Sequence, residues 1–135
     1  MTPFQWDPSY SVGIAEIDDQ HKKMVGILSR LYESVRQGNA QEMLKPIFVE
    51  FLFYTQDHFA TEERLMLQYK YPDYKAHKAV HDACLRKVLT FKRALDNGLA
   101  VDPVEACEFL KAWLEDHLAG DDQEYVEFFH ARGVK

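Results

Sequence analysis

His21, His58, His77, His81 and His117, together with Glu62 and Asp122, have the types and spacings of metal ligands. His58 with Glu62, and His77 with His81, are four residues apart, which sets each pair on one helical face a turn apart. Asp122 follows His117 by five residues, about 140° off in a regular helix, so Gly120 must let the chain turn if both are to point inward. Five imidazoles and two carboxylates are too many donors for one ion and suit two ions that share the carboxylates. If Glu62, Asp122 and a solvent-derived oxygen all bridge, three histidines complete one ion's shell and two leave the other a position short. That open position argues against structural zinc, which is tetrahedral and closed. Ligand softness alone admits iron, zinc or manganese.

A lone histidine on an apolar face is ordinarily a hydrogen-bonded core residue. His130 lies outside the apolar stripes and is expected at the surface; with Glu127 it makes one ExxH match, where ferritin-like sites need two. Glu63 is expected to face solvent, with a supporting contact to a ligand as its alternative. Asp122 is favoured over Asp121 by its five-residue step from His117. Cys84 and Cys107 match no zinc or redox spacing and are expected to be buried as small hydrophobes. Lys22-Lys23 and Lys92-Arg93 read as solvated faces, and Trp6 as packing an arm onto the core.

Four amphipathic segments must position these donors. Residues 1–17, with Pro3, Pro8 and Gly13, read as an extended N-terminal arm. The first helix, from about Asp18 to Gln37, carries Met24, Ile27, Leu28, Leu31 and Val35. The second carries Leu44, Ile47, Phe48, Phe51, Leu52, Thr55, Phe59 and Met66. Pro46 requires that it start near Lys45 or bend there. The third follows Tyr74, Cys84, Val88, Phe91 and Leu95 to Asn97-Gly98. The fourth opens at Asp102-Pro103 with Glu105 and carries Val104, Cys107, Leu110 and Leu114. Residues 122–130 read as a short C-terminal helix.

Short loops between such helices predict an all-α, up-down-up-down four-helix bundle over a single domain, residues 1–135. In that topology the starts of the first and third helices lie beside the ends of the second and fourth. His21, His77 and His81 then meet His58, Glu62 and His117 at one end of the core.

With 47% hydrophobic and 28% charged residues the composition is globular, and no apolar run approaches the roughly 20 residues of a membrane span. The opening MTPFQWDPSY lacks the basic and apolar regions of a signal peptide, so a cytoplasmic location is expected. A net charge of −6 with scattered basic residues argues against nucleic acid as a partner.

The segments YSVGIAEIDDQH (10–21), HFATEE (58–63), HKAVH (77–81) and WLEDHLAGDDQEY (113–125), in this order, resemble the hemerythrin family, specifically its single-domain bacterial members. The resemblance implies two non-haem iron ions with an oxo or hydroxo bridge and dioxygen as ligand. It assigns His77, His81 and His117 to the fully coordinated iron, His21 and His58 to the iron with the vacancy, and Glu62 and Asp122 to the bridges. Phe59, Trp113, Leu114 and Leu118 are expected to wall the oxygen pocket, and by resemblance Leu114 and Leu118 face it. A dry wall protects a reversible oxygen complex from side reactions with water. The expected function is oxygen storage, transport or delivery by a monomer that is not an enzyme, with a transient protein as recipient. The alternatives are a di-iron redox enzyme, a sensor of oxygen or nitric oxide acting through a separate partner, and a metal-stapled structural bundle.

Overall fold

The computed structural model describes residues 4–120 and 123–135. Its long helices are α1 (Ala15–Gln37), α2 (Ala40–Gln68), α3 (Tyr74–Asp96) and α4 (Pro103–Ala119), followed by the short α5 (Val126–His130). They form the all-α four-helix bundle expected from the sequence. α2 packs along α1 and α3, and α4 lies against α1.

α1 begins three residues before Asp18 because that aspartate has other work. Its carboxylate accepts from Ser11 Oγ at 2.5 Å and Val12 N–H at 2.9 Å, while its own N–H donates to Ile14 O at 2.9 Å. Asp18 therefore ties the arm to the first turn, leaving Ile14 in extended conformation as the cap. The arm lies over the bundle, as expected. Phe4, Val12 and Ile14 are buried, Trp6 and Tyr10 pack on the core, and Ser29 Oγ donates to Phe4 O at 2.6 Å.

α2 runs unbroken from Ala40 through Pro46, so it does not begin at Lys45. The proline denies one hydrogen bond to the carbonyl four residues earlier, that of Glu42. Both residues are exposed, and water can serve that carbonyl. α4 starts as anticipated: Asp102 accepts from Val104 N–H at 3.1 Å and Pro103 occupies the first turn. Val104 itself points outward, whereas Cys107, Leu110 and Leu114 are fully buried. Burial pushes the Cys107 thiol up to about 11, which keeps it protonated and inert. Cys84, expected in the interior, is only half-buried.

The apolar interior comes in two clusters. The larger fills the bundle with Met24, Leu28, Phe48, Phe51, Phe59 and Leu114 among others. The smaller closes one end, where Val12 and Ile14 of the arm meet Ile17, Met66, Tyr125 and Phe129. α5 starts at Val126, later than expected, and supplies Phe129 to this plug.

Gly13 latches the plug. Its φ is +68°, and a Cβ there would lie 2.7 Å from Cε1 and Nε2 of the His130 ring. His130 is exposed, as expected, yet seated over the arm. Gly13→Ala is expected to destabilise the fold by about 1–3 kcal/mol, read as a lower denaturation midpoint. His130→Ala in the same chain should recover only the steric part, because the backbone penalty stays.

Candidate metal centre

Between the two clusters lies a polar layer. On α1, His21 sits between Ile17 of the plug and Met24 of the main core; on α2, Glu62 sits between Met66 and Phe59. α3 brings His77 and His81 in its first two turns, and α4 brings His117 in its last. His21, His58, Glu62, His81 and His117 are 0% exposed and His77 is 3% exposed. Six side chains that the sequence placed at one end of the core thus come together there.

Glu62 is at the centre. Its Oε1 lies 2.5 Å from His58 Nε2, 3.6 Å from His117 Nε2 and 3.8 Å from His81 Nε2, and its Oε2 lies 3.6 Å from His77 Nε2. His58 Nε2 is also 2.9 Å from both His21 Nε2 and His117 Nε2. Ligand atoms of His21, His58, Glu62 and His117 lie within 4.8 Å of one another, and so do those of Glu62, His77 and His81. Glu62 belongs to both groups. His117 falls in the first, with its ring 5.1 Å from that of His58 and 6.2 Å from that of His81.

Asp122, expected to complete the donors, lies outside the described residues, as does Asp121. Gly120 does end α4 next to them: its N–H donates to Asp116 O at 3.1 Å, and a Cβ there would stand 2.8 Å from that oxygen. Only glycine fits so close to a carbonyl without displacement.

The outward nitrogens of two histidines are held by neighbouring side chains. His58 Nδ1 is 2.9 Å from Gln20 Oε1, and His81 Nδ1 is 2.9 Å from Glu63 Oε2. Glu63 takes its supporting alternative, where solvent exposure had been expected. Gln20 had no assigned role; adjacency to His21 was the only signal. Tyr125, fully buried with its ring 5.6 Å from that of His77, also went unremarked.

Apolar rings cover the cluster on the core side. Phe59 stacks on His81 at 3.8 Å and 4°, and Trp113 lies over His117 at 5.7 Å and 24°. Leu114 and Leu118 are fully buried beside His117 on α4. Trp113 donates from Nε1 to Cys84 O at 3.2 Å, and it lines a cleft of about 400 Å³ with Val80, Ala83, Cys84, Lys87 and Asp116.

Five imidazoles around one carboxylate in a dry interior carry a heavy desolvation cost unless an ion gathers them. The donor set fits a metal: all five histidines offer Nε2 toward Glu62 or one another, and imidazole with carboxylate suits a divalent transition metal. The fold and the site together define a helical bundle with a histidine- and carboxylate-lined metal centre.

Comparison with known proteins gives the family. The family model described as Hemerythrin HHE cation binding domain matches residues 12–129. A bacteriohemerythrin of Stenotrophomonas maltophilia is 33% identical, covering 94% of this chain and 82% of that one. A hemerythrin-like protein of Naegleria gruberi is 30% identical, with 92% of each covered. Among solved structures, wild-type hemerythrin superposes with a TM-score of 0.81 at 26% identity, covering 94% of this chain and 95% of that one. A variant of hemerythrin gives a TM-score of 0.84 at 24% identity. This chain belongs to the hemerythrin family.

Proposed function

We propose that this protein binds dioxygen reversibly at two non-haem iron ions, for storage, transport or delivery, and does not turn oxygen over as an enzyme. The observation that carries the proposal is the position of Glu62, one buried carboxylate common to two groups of histidines. A shared carboxylate is what two neighbouring ions need, and what a single ion does not. His21, His58, His77, His81 and His117 would supply nitrogen, Glu62 one bridge, and Asp122, on its motif match, a second. An oxo or hydroxo group would be the third. The choice of iron rests on family membership, since the donors themselves also suit other metals. Bacteriohemerythrin is likewise the name of several relatives.

Two ferrous ions, when bound, supply the electrons that hold dioxygen. The chain's own contribution is to fix the donors and keep water out. Phe59, Trp113, Leu114 and Leu118 provide an apolar wall on the core side, and the plug of arm and α5 closes the other. Whole-chain assignment as one domain, a monomeric state, a cytoplasmic location and a transient protein recipient of oxygen belong to the same proposal. No helix among the described residues is long and apolar enough to cross a membrane.

Anaerobic loading with ferrous iron, followed by alternating oxygen and argon, tests it. A visible absorption band should appear under oxygen, fade under argon and return over several cycles. Immediate irreversible oxidation, with sustained oxygen consumption once a reductant is added, would instead establish a redox enzyme.

A further inference from the structure

The two groups of donors each contain a histidine whose far nitrogen is held by a side chain, and the two holders differ in charge. An amide oxygen and a carboxylate can only accept, so His58 and His81 each donate from Nδ1. With Nδ1 committed, Nε2 is the nitrogen that each ring can offer a metal, and both Nε2 atoms face Glu62.

Gln20 has no freedom to exchange its oxygen for its nitrogen. Its Nε2 donates to Thr61 Oγ1 at 2.9 Å, and the Thr61 hydroxyl is committed as donor to Asp57 O at 3.1 Å. Thr61 must accept from Gln20, which leaves the amide oxygen for His58. Glu63 is anchored differently. Lys78 Nζ lies 3.4 Å from its Oε1 and 3.4 Å from Asp82 Oδ1, so a cation stands beside one carboxylate oxygen while the other meets His81. One histidine thus leans on a neutral dipole and the other on a full negative charge.

A carboxylate partner draws the Nδ1 proton toward itself and enriches the opposite nitrogen, whereas an amide does so much less. We propose that Glu63 and Gln20 are positioning residues that make the two metal positions unequal: Glu63 tightens the ion held by His81 through its charge, and Gln20 orients His58 without that gain. This presupposes the two-ion centre proposed above. It adds that the asymmetry is written in the supporting side chains and can be moved by exchanging them.

The test uses cobalt(II) titrated into the metal-free, full-length protein under argon, followed by visible absorption and calorimetry, with no oxygen chemistry involved. Glu63→Gln keeps an acceptor and removes the charge. It should weaken one of two binding steps by about 10–100-fold and leave the other within about threefold. Gln20→Glu should strengthen the other step, and the double exchange should reverse which step is tighter. Helix content of the metal-free variants should equal that of the unmodified protein. A Glu63→Gln protein matching the unmodified one at both steps would overturn the proposal, since the carboxylate would then act by shape alone. So would a weakened step that tracked lost helix. Uptake of a single cobalt, or none, by the unmodified protein would overturn the two-ion centre itself, and this proposal with it.

Discussion

Glu62→Ala is expected to strip the protein of both ions at once while leaving its helices in place. Glu62 stands within reach of histidines on α2, α3 and α4, and each donor group includes it. In the proposed two-ion centre, removing it would take a ligand from both ions and also the negative charge that would let two cations sit close together. The loss in affinity should exceed the roughly 10–100-fold typical of losing a mere supporting partner. The fold should tolerate the change. Alanine is the best helix former, and the replacement withdraws a charged group from a dry interior. Metal analysis after iron loading, paired with circular dichroism, reads both halves. One ion retained at full strength would mean that the carboxylate is not shared.

Leu114→Ala should do the opposite, keeping the metal and spoiling what surrounds it. Leu114 is fully buried in α4, one turn before His117, and offers no donor atom. Truncation to alanine leaves a cavity, with a stability loss of about 2–5 kcal/mol visible in denaturant unfolding. That cavity would adjoin polar groups that can hold water, so it should fill. Water beside the bound oxygen opens the path to irreversible oxidation, and the oxygenated form should decay faster in air than that of the unmodified protein. His77→Ala is the contrast: it should lose metal. Equal metal loss in Leu114→Ala, His77→Ala and His81→Ala would refute the assignment of Leu114 to the wall.

The stripes of α1 and α2 were legible because their core-facing residues repeat at helical spacing and are nearly all buried. Following those stripes to their ends located His21, His58 and Glu62. α1 starts earlier than about Asp18, where its stripe begins, because the folded arm turns that aspartate back onto Ser11 and Val12 and lets the first turn form ahead of it. Pro46 left two openings for α2, and tolerance of an exposed, water-served carbonyl is a property of the surface, not of the pattern. Gln20 was out of reach for a similar reason, and for Glu63 the supporting role could be offered only as an alternative. Their partners are 38 and 18 residues away, and a side chain-to-side chain hydrogen bond leaves no periodic trace.

α3 differs from its neighbours. In its 23 residues only His77, His81 and Val88 are wholly interior, and it meets α4 through side chains such as Phe91 on Phe109 and the Trp113 bond to Cys84. Two of the three residues that this helix buries fully are thus the same ones expected to clasp an ion. Chelation and the docking of α3 would then draw on one free energy. Metal-free protein would keep its four helices yet hold α3 against the bundle less firmly, and returning the ion would rivet it back.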